Sequence, residues 1–110
     1  MPLFPQVTET QAVRIDEDGL MTPVPYDKTQ GLSLWLKVMQ DTVKGYIETV
    51  PVPVLRGSPL RVIMVVNEEG LLKDMAYNPL ASRFAEQHIV GPALLVTWAM
   101  MQGDETMEDE

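Results

Sequence analysis

One segment of the chain, residues 29–44, has the period of an amphipathic helix, and it constrains the fold more than any other feature. Its apolar residues recur at intervals of three and four and form a single stripe. Asp27 or Thr29 can cap the start, and Gly45 suits the position just past the end. Such a stripe needs an apolar surface to cover, and its members are Leu32, Trp35, Leu36, Met39 and Val43.

The remaining apolar runs are short and predict strands, because they are β-branched or alternating and are separated by Pro, Gly and Asn. Asp18-Gly19 favours a tight turn between the first two strands. Pro23 and Pro25 confine the second strand to an edge, since proline donates no hydrogen bond. The predicted strands are 11–15, 20–22, 46–50, 60–66, 71–75 and 89–100, the last one kinked near Gly91-Pro92.

Together these elements predict an α+β fold: a two-layer, mostly antiparallel sheet with one main helix (about 29–44) and one short helix (about 79–86) on the same face. The short helix is expected because Asn78 suits a cap and Pro79 the first helical position. The run 60–66 is the most apolar strand and is predicted at the sheet centre. The predicted core is Val13, Ile15, Leu32, Trp35, Leu36, Met39, Val43, Ile47, Val62, Met64, Val66, Leu71, Phe84, Val90, Leu94 and Val96.

The length of 110 residues fits a single domain, predicted over residues 1–102, with 1–9 as a loose lead-in. The net charge of −8 comes largely from residues 103–110, which carry five acids and no base and leave −3 for the rest. We expect this acidic tail to be disordered, because it offers almost nothing to bury.

Composition excludes several classes of function. The chain has no cysteine, so disulfides, cysteine-bound zinc and thiol catalysis are excluded. The acidic balance disfavours direct binding of duplex nucleic acid, which requires a basic face. We find no secretory signal and no apolar run long enough for a membrane span, and therefore expect a soluble cytoplasmic protein.

The segment Asn67-Glu68-Glu69-Gly70 follows the most apolar strand and has the composition of a turn, because Asn and Gly tolerate positive φ. Its carboxylates also make it a candidate binding site. A hydrolase acting through Glu68, Glu69 and His88 is one alternative. However, neighbours on a strand point to opposite faces, and His88 lacks an identifiable partner. As the only histidine, His88 does not predict a metal site, and no cofactor is expected.

Two further groups of residues are candidates for binding. At the predicted helix start, a capping role accounts for Asn78. The alternative is that this helix start binds an anion with the help of Ser82 and Arg83. On the strand 46–50, Tyr46 and Glu48 share one face, and Arg61 is a candidate cross-strand partner for Glu48.

Trp98, Met100 and Met101 end the last predicted strand, next to the acidic tail. Packing of the sheet end explains them simply. A contact with a partner, including a second copy in a homodimer, is the other interpretation, because methionine adapts to irregular surfaces.

Four short motifs occur in an order that resembles domain of unknown function 3846, a family of small phage, plasmid and mobile-element proteins. They are Tyr46-Ile47-Glu48, the run 66–73, Asn78-Pro79 with Ala81-Ser82, and Ile89-Val90-Gly91, so the resemblance covers roughly residues 29–98. The prolines between 51 and 59, and Pro92-Ala93 after Gly91, depart from the family pattern. The resemblance implies no reaction, only the context of a phage or mobile-element accessory protein in a bacterial host.

We therefore expect a non-enzymatic accessory protein that binds a host component, such as a defence or regulatory protein inhibited by contact. Sequestration of a small nucleotide-like signal is the first alternative, and the hydrolase is the second. The candidate binding residues are Tyr46, Glu48, Asn67, Glu68, Glu69, Asn78, Ser82 and Arg83.

Overall fold

The computed structural model describes residues 5–102. Five strands and three helices form the fold, with single 3-10 turns at Lys28–Gln30 and Pro53–Leu55. The predicted acidic tail, residues 103–110, lies outside the described residues, as do the first four residues of the lead-in. The elements are β1 (Gln11–Ile15), β2 (Met21–Pro25), α1 (Leu32–Val43), β3 (Ile47–Pro51), β4 (Val62–Asn67), α2 (Pro79–Ala85), β5 (Ala93–Thr97) and α3 (Trp98–Gln102).

The strands form one sheet in the order β2-β1-β5-β4-β3, and every neighbouring pair is antiparallel. The predicted α+β class and antiparallel sheet are confirmed, and β2 with its prolines lies at an edge. The central strand is β5, whereas residues 60–66 were predicted there. That prediction was wrong because β1, which is distant in sequence, pairs with β5 and so places β5 rather than β4 in the middle of the sheet. All five residues of β5 are buried.

The sheet is covered on both faces, so the fold has three layers where two were predicted. On one face, α1 and α3 pack against the sheet through Ala12, Trp35, Met39, Val43, Val65, Leu94, Val96 and Met100. On the other face, the short helix α2 and the loops around it bury Val13, Ile15, Val50, Val52, Met64, Val66, Ala81, Ala85, Ile89, Ala93 and Leu95. The helices therefore do not share one face, because successive residues of the inner strands are apolar on both sides.

Helix α1 buries the middle of its predicted stripe, namely Trp35, Met39 and Val43. Leu32 and Leu36 were predicted in the core and are instead 36% and 37% exposed, because they lie on the margin of the stripe. The helix ends one residue earlier than Gly45 suggested: Lys44 adopts the left-handed conformation (φ 70°), and its amide donates to the carbonyl of Gln40.

Two predicted strand segments adopt helical turns. Residues 71–75 do not return along β4, because the chain curls through successive turns in which Lys73 N donates to Glu69 O and Met75 N to Gly70 O. Leu71, predicted in the core, is consequently exposed. The closing strand covers only residues 93–97, and the hydroxyl of Thr97 caps α3 by accepting from Met100 N at 3.2 Å.

Met39→Ala tests the packing of α1 on the sheet. Met39 is fully buried, so we expect the substitution to lower the free energy of unfolding by about 2–5 kcal/mol. Leu34→Ala on the same helix is the matched control, because Leu34 is largely exposed, and we expect a change below about 1 kcal/mol. Urea denaturation followed by circular dichroism measures both, and equal effects would contradict the packing described.

Candidate functional site

A cleft of about 430 Å³ lies where β3 begins and β4 ends, and four of the eight candidate binding residues line it. We call it the acidic cleft, because three carboxylate side chains line it. It is lined by Glu48, Val50, Val66, Asn67, Glu68, Glu69, Gly70, Leu71, Leu72, Gln87, His88, Ile89 and Val90.

Asn67 is buried and holds the turn beneath the cleft. Its Nδ2 donates to the carbonyl of Val43 at 2.9 Å, and its Oδ1 accepts from the amide of Glu69 at 2.7 Å. One side chain thereby joins the end of α1 to the turn after β4. Asn67 therefore positions the acidic residues, and its side chain is already engaged on both sides.

Gly45 permits this arrangement through a close approach. A Cβ at Gly45 would lie 2.7 Å from Nδ2 of Asn67 and 3.0 Å from Nζ of Lys73. Any larger residue would have to displace the Asn67 amide, so the glycine after α1 is required by the turn it touches.

The carboxylates of the cleft are exposed. Glu68 follows Asn67, and its amide donates to the carbonyl of Tyr46 at 2.9 Å. The Oε1 atom of Glu69 lies 3.9 Å from Nζ of Lys73, a surface ion pair that contributes little energy. Glu48 pairs with Val66 in the β3–β4 register. The structure thus brings Glu48, Glu68 and Glu69 to one negatively charged surface.

His88 lines the same cleft, as the hydrolase interpretation requires. Its ring stacks on Tyr77, with centroids 4.9 Å apart and an interplanar angle of 14°. Within residues 5–102, no group of three or more His, Asp and Glu residues is arranged to hold a metal ion.

The turn after Asn67 also carries the most exposed leucines of the described fold. Leu71 is 73% exposed and Leu72 is 86% exposed. Tyr46, which directly precedes β3 and whose carbonyl accepts from the amide of Glu68 in the same turn, is 68% exposed. We call these three residues the apolar tip. Burying a leucine side chain stabilises a folded protein by about 1.5–3 kcal/mol. Because Leu71 and Leu72 are exposed to water, they do not contribute this free energy to the stability of the isolated domain.

A family model described as a domain of unknown function, DUF3846, matches residues 8–110. The chain belongs to the DUF3846 family. The resemblance expected over residues 29–98 is confirmed, and the match extends to the N-terminal strand pair. No curated protein and no solved structure matches this DUF3846 sequence significantly. In the part described, none of the helices of this DUF3846 domain is both long and apolar enough to span a membrane.

Three further predicted residues of the DUF3846 domain, Asn78, Ser82 and Arg83, do not line the acidic cleft. Asn78 is fully buried: its Oδ1 accepts from Ala81 N, and its Nδ2 donates to the carbonyls of Ile15 and Gly91 at 3.0 and 2.9 Å. The hydroxyl of Ser82 accepts from Ile89 N at 2.8 Å and donates to Ile89 O at 3.2 Å.

These contacts favour the cap interpretation of Asn78 over an anion site. The amide of Ser82 is also used, since it donates to Asn78 O. Arg83 stays exposed on α2 and has no carboxylate within 4 Å among the described residues.

Sequence reasoning missed a second concavity of the DUF3846 domain, at the opposite end of β4. It is a groove of about 800 Å³ that includes Tyr26, Lys28, Leu60, Arg61 and Trp98, and we call it the Trp98 groove. Arg61 was predicted beside Glu48, but its guanidinium carbon lies 4.3 Å from the centre of a Trp98 ring. The β4–β5 register, Val62 opposite Thr97, brings the two side chains together, and no local sequence signal specifies which strands pair.

Asn78→Ala tests the structural role assigned to the buried asparagine. The substitution removes a helix cap and leaves two buried carbonyls without their donor, so we expect a loss of about 2 kcal/mol or more in the free energy of unfolding. Arg83→Ala on the same helix is the control and should change it by less than about 0.5 kcal/mol. Thermal unfolding measures both, and an unchanged melting temperature for Asn78→Ala would contradict this role.

Proposed function

We propose that this DUF3846 protein is a non-enzymatic phage or mobile-element accessory protein that binds and inhibits a host protein in the bacterial cytoplasm. The accessory context is what the family resemblance implies. The observation that carries the binding proposal is the apolar tip, Tyr46, Leu71 and Leu72, beside the carboxylates of the acidic cleft.

Apolar side chains grouped on a surface and surrounded by polar residues are typical of protein interaction sites. Tyrosine is enriched among the residues that contribute most to such interfaces. Here the surrounding charges are Glu48, Glu68 and Glu69, together with Lys73, which follows Leu72 and pairs with Glu69. Charge complementarity therefore favours a host protein with a basic surface around an apolar pocket that accepts the two leucines.

The local structure favours binding without a large ordering cost. The turn that carries the tip is fixed by both polar ends of Asn67 and by the amide of Met75, which donates to Gly70 O at 3.1 Å. A segment that is held in one conformation before binding loses less entropy on association.

A hydrolase acting through Glu68, Glu69 and His88 is the second candidate, and it is supported by the common location of these residues in one cleft. The stacking of His88 on Tyr77 gives that ring a structural role independent of catalysis. A binding function accounts for both the carboxylates and the exposed leucines, whereas hydrolysis accounts only for the former.

The double substitution Leu71→Ser with Leu72→Ser tests the proposal. We expect the wild-type protein to capture one host protein stoichiometrically from a bacterial lysate, and to bind it directly when both are purified. The double variant should bind at least 100-fold more weakly, since two anchors of about 1.5–3 kcal/mol each are lost. Added salt should also weaken wild-type binding, because the carboxylates are exposed.

Leu34→Ser is the matched control, because Leu34 is an exposed leucine on α1, away from the cleft, and should leave binding unchanged. Equal binding by the wild type and the double variant would contradict the proposal. So would a catalytic turnover that Glu68→Gln or His88→Ala abolishes while the fold is retained.

A further inference from the structure

The Trp98 groove has the features of a site for a small ligand, and it is independent of the apolar tip. It lies where β1 and β4 begin and where β2 and β5 end, and most of its lining residues belong to the segments that adjoin these four strands. Its volume of about 800 Å³ lies within the range of roughly 300–1,000 Å³ that is usual for small-molecule sites.

Trp98 supplies a partly exposed aromatic ring in the groove. It begins α3, whose Met100 is fully buried against α1 and the sheet, whereas Trp98 itself is 39% exposed. The Arg61 guanidinium lies over the indole at 4.3 Å. A planar ring can stack either on an indole or on a guanidinium plane, and both contacts tolerate many ring chemistries.

Tyr26 adds a second ring whose position is fixed. Its centroid lies 4.8 Å from that of the buried Trp35, at an interplanar angle of 69°. Because Trp35 belongs to the core, the Tyr26 wall of the groove is anchored to the packed interior.

The groove is lined by two cations, Arg61 and Lys28, and by two carboxylates, Glu9 and Asp27, and the cations are available to a small anion. Arg61 and Lys28 both line it, and neither has a carboxylate within 4 Å in residues 5–102. Asp27 also lies there, but its carboxylate accepts hydrogen bonds from the hydroxyl and amide of Thr29 at 2.6 and 3.0 Å. These bonds lower the pKa of Asp27 and direct the carboxylate to the local turn. The chain as a whole has a net charge of −8, so two side-chain cations that form no ion pair among the described residues differ from the acidic character of the rest of the chain.

We propose that the Trp98 groove binds a small ligand in which a planar ring is joined to an anionic group, of the nucleotide class. The ring stacks on the Trp98–Arg61 pair, and the phosphate pairs with Lys28 and Arg61. A long polyanion is disfavoured because Glu9 and Asp27 also line the groove and the chain is acidic.

The four ribonucleoside monophosphates, titrated separately, test this site through quenching of tryptophan fluorescence. We expect saturable quenching by at least one of them. Its nucleoside and inorganic phosphate should each bind at least tenfold more weakly than that monophosphate, because the nucleoside lacks the anionic group and inorganic phosphate lacks the ring. Trp98→Ala and Arg61→Ala should weaken binding at least tenfold, and Lys28→Ala several-fold. Arg56→Ala and Arg83→Ala remove exposed cations that do not line the groove and should have no effect.

Chemical-shift mapping by NMR gives a second readout, which does not require the Trp98 variant to fold. We expect shifts at the Trp98 indole N–H and at Tyr26, and none at Leu71 and Leu72. The proposal is overturned if no monophosphate binds at millimolar concentration, if the nucleoside of the tightest-binding monophosphate binds as tightly as the monophosphate itself, or if the shifts lie elsewhere. Because capture of a host protein depends on the apolar tip, failure of one proposal leaves the other intact.

Discussion

Burial of the central strand β5 on both faces is the constraint on which the rest of the structure depends. All five of its residues, Ala93–Thr97, are buried, and a strand with apolar residues on both sides needs a layer on each face. Helices α1 and α3 cover one face, and α2 with its neighbouring loops covers the other. The surfaces left for function are therefore the two ends of the sheet, where the acidic cleft and the Trp98 groove lie.

Buried side-chain amides connect the helices to the sheet at fixed points. Asn67 joins the end of α1 to the turn after β4, and Asn78 joins the start of α2 to the backbone of residues 15 and 91. A buried amide is tolerated only when its donors and acceptors are paired. Each asparagine therefore specifies one arrangement of neighbouring segments. Asn67 was counted among the binding candidates because carboxylates follow it, and Asn78 because a helix start can hold an anion. The functional candidates that remain are exposed: the carboxylates, the apolar tip and the Trp98–Arg61 pair.

The parts of the fold that were predicted from sequence are those with local causes. The period of α1 follows from the spacing of Trp35, Met39 and Val43, and the start of α2 follows from Asn78-Pro79. The segment 71–75 was misassigned because its composition fits a strand, whereas the positive φ of Asp74 (58°) and the bonds to Glu69 and Gly70 turn it into a helical curl. Glu48 and Glu68 were both candidates, but in separate groups, one on a strand face and one in a turn, and the β3–β4 register that places them in one cleft was not predicted. The Trp98 groove was not predicted either, because the contact between Arg61 and Trp98 depends on strand pairing between segments distant in sequence.

Native-state hydrogen exchange measured by NMR tests the central role of β5 most directly. Amides of a strand buried on both faces and bonded to β1 and β4 should exchange only when the whole domain unfolds. The account predicts that the hydrogen-bonded amides of residues 93–97 are the slowest to exchange, with a free energy equal to that of global unfolding, and that the amides of Leu71 and Leu72 exchange orders of magnitude faster. Exchange of the β5 amides at the rate of the edge strands β2 and β3 would contradict it.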